Sequence, residues 1–201
     1  MVKTRHWLSG LLGSLMLLSG CPGGVPGNRP ISSIALILSP TTNELLVFDL
    51  LTHRVNTPKE VGSLPQDLAV SNDGRRVIVT NFNDGSITFF ERQSADQFIS
   101  RGNLSVGQQP RGIVFNQQGT EAYVAVSGES SISILSTSSA SRLPSVIDTV
   151  RVGTDVAANP NVKTPQPDQI AVSADGTRLF VVDKGNRTLL SFTRSVNTFR
   201  P

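Results

Sequence analysis

The sequence is poor in the residue types from which most catalytic and metal sites are built. Of its 201 residues, one is cysteine (Cys21), one tyrosine (Tyr123), one tryptophan (Trp7) and two are histidine. A single cysteine has no partner within the chain, which excludes an internal disulfide framework, and no paired Cys/His spacing of a zinc site occurs. Serines are plentiful, notably at 127, 130, 131, 133 and 136–139, yet none stands in a Gly-x-Ser-x-Gly elbow. A glycine-rich phosphate loop is also missing. Charged residues amount to only 16% of the chain, and few stretches carry the Ala, Leu, Glu and Lys enrichment of a soluble helix. Turn chemistry is abundant instead: 17 Gly and 12 Pro, with many Ser, Thr and Asn. That balance points to an all-β chain rich in tight turns.

The N-terminus is a separate object. Lys3 and Arg5 give a positive start, residues 7–18 form an apolar run, and Leu18-Ser19-Gly20-Cys21 follows. The run is too short for a stable membrane span, which reads as a cleaved secretory signal over residues 1–20. The tetrad LSGC resembles the bacterial lipobox. That resemblance implies cleavage before Cys21 and a diacylated, N-acylated cysteine, and several acyl chains at about 0.8 kcal/mol per buried methylene give lasting membrane attachment. Loss of Lys3 and Arg5 leaves 16 of the 18 basic residues against 15 acidic ones. A near-neutral mature chain gives no electrostatic reason to expect nucleic acid as a partner. Residues 22–30 (PGGVPGNRP) read as a flexible tether, so residues 21–33 carry the lipid site and linker.

Residues 34–201 are repetitive. Three segments align without gaps, beginning PQDLAVSNDGRRVIVTN at Pro65, PRGIVFNQQGTEAYVAV at Pro110 and PDQIAVSADGTRLFVVD at Pro167. Each has an apolar triplet after the proline (Leu68-Ala69-Val70, Ile113-Val114-Phe115, Ile170-Ala171-Val172). A polar residue and glycine follow at Gly74, Gly119 and Gly176, a hairpin signal because glycine accepts positive φ. A second apolar run, a second polar turn (83–85, 128–130, 185–187) and a third strand complete the common part. A fourth strand fits near Phe98-Ile99 and Val146-Ile147. Pro65 and Pro110 are 45 residues apart, Pro110 and Pro167 are 57 apart, and the excess lies in 155–166 (DVAANPNVKTPQ). Four strands per 40–45 residues is the size of a WD40-like propeller blade, and turns repeating in register argue against a β-sandwich.

The tetrads Ile78-Val79-Thr80-Asn81, Tyr123-Val124-Ala125-Val126 and Phe180-Val181-Val182-Asp183 resemble the naming motif of the YVTN β-propeller repeat proteins. The resemblance spans residues 34–192, with 34–49 (IALILSPTTNELLVFD) as a copy lacking its first strand. It implies β-propeller blades of four antiparallel strands, about four of them, near 34–64, 65–109, 110–166 and 167–201. The family includes surface-layer proteins and is related to lactonase-like and quinoprotein-like propellers. A closed seven-bladed ring needs over 300 residues at about 45 each. The expectation is therefore a truncated propeller, or an open arc that pairs its free blade edges with another chain, a homo-oligomer included.

No residue is assigned a catalytic, cofactor-binding or metal role; Cys21, as the lipidation site, is the only site residue expected. The loop 81–85 (NFNDG) is oxygen-rich but lacks the spacing and terminal Glu of a calcium loop. His53 reads as an exposed loop residue, and Tyr123 as a core strand residue. Asp73 and Asp175 are expected to bond their own turns. Phe82, Phe89, Phe90, Phe115, Phe180 and Phe192 are expected mostly in packing between blades, and Arg75 and Arg76 in solvent. The functional expectation is a non-enzymatic binding or scaffold module in the cell envelope, at the periplasmic face of an outer membrane or at the cell surface, with a protein or envelope partner. The insertion 155–166 is the first candidate contact. The alternative is a lactonase-like or quinoprotein-like propeller enzyme, or an inactive fragment of one.

Overall fold

The computed structural model describes residues 15–17, 33–94, 96–138, 143–153, 163–195 and 198–200. Among them the chain is all-β, in four antiparallel sheets that follow one another along the sequence. The first blade holds β1 (Leu15–Leu17), β2 (Ile34–Ser39), β3 (Glu44–Asp49) and a split outer strand, β4 (Arg54–Val55) and β5 (Lys59–Glu60). The second is β6 (Pro65–Val70), β7 (Arg76–Asn81), β8 (Ser86–Arg92) and β9 (Phe98–Ser105). The third is β10 (Pro110–Phe115), β11 (Glu121–Val126), β12 (Ser131–Ser136) and β13 (Ser145–Arg151). The fourth is β14 (Pro167–Val172), β15 (Arg178–Asp183), β16 (Thr188–Ser195) and β17 (Thr198–Arg200).

Strand order within each sheet follows chain order, and β6, β10 and β14 lie side by side as the inner edge of the stack. The expected fourth strands are present as β9, β13 and β17. One finding goes beyond the sequence reading. The first-strand position of the first blade is filled by β1, whose Leu15, Met16 and Leu17 pair with Ile37, Leu36 and Ala35.

The second and third sheets bury both faces, which is why their strands read as continuous apolar runs rather than strict alternation. On the second blade, Leu68, Val77, Val79 and Phe90 pack against Ile34, Leu36, Leu38, Leu45 and Val47 of the first. Its other face, Ala69, Ile78, Ile87 and Phe89, packs against Ile113, Phe115, Ala122, Val124 and Leu135 of the third. The third repeats the arrangement, with Val114, Tyr123, Ile132 and Ile134 against Ile170, Leu179, Val181 and Phe192. Every blade thus has a leading face, toward the preceding blade, and a trailing face, toward the next.

The turns follow the sequence expectation. Gly74, Gly119 and Gly176 have φ of 66°, 69° and 72°. Asp73 and Asp175 stay within those turns: each accepts a hydrogen bond from a nearby serine, Ser71 or Ser173, at 2.5 Å. Each also accepts from the backbone two residues on, at 3.0 Å. The bonds from Ser173 and Thr177 hold Asp175 down to a pKa of about 2.

Candidate functional site at the upper end of the blades

At one end of the stack, here the upper end, the loops entering β6, β10 and β14 meet the turns between the second and third strands. The contact is made the same way three times. Asp84, Glu129 and Asn186 occupy one register position, and their side-chain oxygens accept the backbone N–H of Ser63 (2.7 Å), Gln108 (2.9 Å) and Lys163 (2.9 Å). Asn186 also donates back to the Lys163 carbonyl at 2.9 Å. The final position of the YVTN-like tetrad adds a second anchor. Asn81 accepts from Gly62 N–H (3.0 Å) and donates to Ser86 Oγ and Thr88 Oγ1. Asp183, its counterpart, accepts from Gln166 N–H at 2.8 Å and from Gly185 N–H at 3.0 Å. Val126 stands there in the third blade, so Glu129 alone bears that duty. The bond from Gly62 N–H is buried and satisfies a donor that would otherwise go unpaired, while the Ser63, Gln108 and Lys163 bonds fix the loops at the surface.

The same end of the inner edge carries a polar row. Gln66, Arg111 and Asp168 are counterparts on β6, β10 and β14. Arg111 Nη1 lies 3.2 Å from Asp168 Oδ1, with both side chains about a quarter exposed. The guanidinium lies 4.8 Å from the Phe82 ring centroid, a cation–π contact. Asp67 accepts from Ile113 N–H of the next blade at 3.1 Å, while Thr80 donates to the Arg111 carbonyl at 2.7 Å. The strands approach so closely that a Cβ on Gly112 would lie 2.6 Å from the Asp168 carbonyl oxygen. Arg111, Asp168, Gln66 and the Phe82 ring make a surface suited to polar and stacking contacts. Among the described residues no group of three or more His, Cys, Asp or Glu is placed to hold a metal ion.

Two sequence readings need correction. Arg76 is not solvated: its Nη1 donates to the carbonyls of Gly119 (2.5 Å) and Thr137 (3.0 Å) in the third blade. Phe82 lies in a turn under Arg111 rather than in a strand core. At the counterpart of Arg76, Glu121 forms a bidentate pair with Arg194 of the fourth blade, both bonds 2.8 Å, and accepts from Tyr123 Oη at 2.7 Å. The hydrogen bonds from Arg194 lead in holding the Glu121 carboxyl below its ordinary value. Burial, reinforced by Glu121, pushes the Tyr123 phenol up. These two contacts latch neighbouring blades together at the lower end.

Other expectations find their places. Tyr123 is a fully buried core residue, edge-to-face with Phe199 at 5.4 Å. His53 is exposed in the turn after β3, with φ 54°. Cys21 lies outside the described residues, as do 155–162 of the insertion. Its last four residues, 163–166, are tied down by Asn186, Asp183 and Ser130, whose Oγ donates to the Pro165 carbonyl at 2.6 Å.

No family profile and no curated protein matches the chain. Solved structures do. A protein from Lactobacillus plantarum aligns with a TM-score of 0.72 at 17% identity, over 84% of this chain and 52% of that one. The periplasmic gluconolactonase of Pseudomonas aeruginosa aligns at 0.68 and 16%, over 87% and 52%. A β-propeller domain from Myceliophteria thermophila aligns at 0.63 and 13%, over 82% and 51%. At such identities the likeness is one of fold, and with the four repeated sheets it makes this an all-β propeller of about four blades. The chain spans about half the length of each of these structures.

Proposed function

We propose that this chain is a lipid-anchored, extracytoplasmic β-propeller of the YVTN repeat type that binds or scaffolds a protein or cell-envelope partner through its upper end. The repeated loop anchor carries this reading. One side chain per blade, Asp84, Glu129 or Asn186, holds the entering loop by its backbone, so the loop's outward side chains are free to vary without loosening the blade. The leader and the tetrad ending at Cys21 support attachment to a membrane at the periplasmic face of an outer membrane or at the cell surface. Expression of the full chain in a lipoprotein-processing bacterium, with a labelled fatty acid, tests the anchor. The label and the membrane fraction are expected to hold the wild-type protein, and Cys21→Ala to lose both. A wild-type protein that is unlabelled contradicts the reading.

A lactonase-like activity is the second reading, and the likeness to a periplasmic gluconolactonase favours it. The inner-edge arginine is already committed to Asp168 and Phe82, which suits recognition better than proton transfer. Gluconolactone hydrolysis by the purified chain above the spontaneous rate would select this second reading.

A further inference from the structure

The near neutrality of the chain hides a local imbalance at the upper end of the third and fourth blades. Arg151, Lys163, Lys184 and Arg187 are all exposed there. They come from three segments that hydrogen bonds tie together. Asn186 accepts the Lys163 N–H and donates to its carbonyl, both at 2.9 Å, and Lys184 N–H donates to the Gln166 carbonyl at 3.0 Å. Ser130 joins the end of β13 to the same loop: its carbonyl accepts Val152 N–H at 2.8 Å, and its Oγ donates to Pro165. Among the described residues none of the four cations has a side-chain hydrogen bond or ion pair. Of the nearby carboxylates, Asp168 is matched by Arg111, and Asp183 is buried on backbone N–H groups. That leaves Glu129, held on Gln108 N–H, against four free cations. The repeat does not require these charges. In the second and third blades the counterparts of Lys163 are Ser63 and Gln108, those of Lys184 are Phe82 and Ser127, and those of Arg187 are Gly85 and Ser130. Arg151 stands where β9 has Ser105. Arg187 also has φ 57°, a conformation that favours glycine. A strained cation at a position that a small residue satisfies is explained by a use outside the fold.

We propose that this patch binds an anionic polysaccharide of the cell envelope. Charge repeated along a polymer complements cations spread over three segments, each of which meets a different sugar unit. A protein partner instead seats on an aromatic or apolar anchor. Segments 151–153, 163–166 and 184–187 hold no aromatic residue, and Val152, their one branched aliphatic side chain, is buried. An anionic lipid surface is disfavoured by the place where the tether joins. Residues 22–32 link Cys21 to Ser33, which lies at the lower end, its carbonyl accepting Leu50 N–H at 2.7 Å. The patch is therefore at the opposite end of the blades from the attachment. The choice of a polymer over lipid rests on the anchor and the upper-end binding proposed above; the patch itself depends on neither.

The test passes the full chain in detergent over immobilised dextran sulfate, with unmodified dextran as the reference. Binding is expected to the sulfated polymer alone, and to weaken steeply as added salt screens the charges. The substitutions Arg151→Ser, Lys163→Gln, Lys184→Ser and Arg187→Gly are made together, since exposed charges act weakly one at a time. Each supplies a residue that the repeat already uses at that position. The β-sheet circular dichroism should therefore match the wild type while the dissociation constant rises about tenfold or more. Arg54→Ser with Arg75→Ser, which removes two exposed cations of the lower end, should leave binding unchanged. Cys21→Ala should bind as the wild type does, so a failure of the lipid anchor would leave this result standing. No binding to dextran sulfate, or an equal loss in the upper and lower variants, overturns the proposal. Tighter binding to poly-L-glutamate overturns it in favour of an acidic protein partner. Binding to phosphatidylglycerol nanodiscs that the same four substitutions abolish overturns it in favour of a lipid surface.

Discussion

At the scale of single residues, one backbone position gives the sharpest test of the repeat. The fifth residue of each upper turn has positive φ: Asn43 at 58°, Gly85 at 62°, Ser130 at 50° and Arg187 at 57°. A side chain in that region costs about 1–2 kcal/mol relative to glycine. Gly85→Ala is therefore expected to lower stability by about 1 kcal/mol or more, since its Cβ would also meet the Gly107 carbonyl at 3.0 Å. Arg187→Gly is expected to raise it by somewhat under 1 kcal/mol, the freer unfolded chain offsetting part of the gain. Thermal melts of the two variants should move in opposite directions. The Glu121–Arg194 pair predicts a pH dependence. Because the folded carboxyl titrates below its ordinary value of 4.5, its contribution is fully present above that pH and is lost as pH falls through the folded value. Glu121→Gln should cost on the order of 1–2 kcal/mol at pH 7. The gap from wild type should narrow below pH 4.5. The roles of Asp73 and Asp175 were legible in the sequence because they depend on neighbours two residues away, and that of Tyr123 because it stands in a continuous apolar strand. That of Arg76 was not, since its acceptors lie 43 and 61 residues further on.

At the scale of elements, the strands and both turns of the common unit were legible from alternating apolar triplets and polar-glycine signals. The loop anchors were half legible. An oxygen-bearing side chain recurs at 84, 129 and 186, but its target is the loop entering the same blade, about 20 residues earlier. Without the register between them the pattern reads as a solvent-facing turn, or as the oxygen-rich loop at 81–85. The insertion now divides in two. Deleting 155–162, with a short glycine linker in its place, is expected to leave the melting temperature nearly unchanged. Asn186→Ala removes two hydrogen bonds to Lys163 and one to Asp183. It is expected to cost about 1–2 kcal/mol, an amount typical of losing part of such a network. Equal losses in the two variants would mean that the insertion itself supports the fold.

At the scale of the whole molecule, sequence and structure agree on an all-β stack of about four blades. They differ over the first one. The repeat leaves its inner strand unassigned because the segment that fills the place, Leu15–Leu17, reads by composition as part of the proposed leader and shares no motif with the other inner strands. Cleavage before Cys21 would withdraw that strand and open the inner edge of β2, so maturation and the completeness of the first blade are linked. The exposure of Leu189 and Val182 on the fourth blade was not legible either, since an apolar strand looks the same in sequence whether or not its second face is covered. The most direct measurement is the intact mass of the protein taken from a bacterial envelope fraction. The account predicts a chain beginning at residue 21 that carries a diacylglyceryl group and one further acyl chain. A mass matching the uncleaved chain, or a processed chain without lipid, would contradict it.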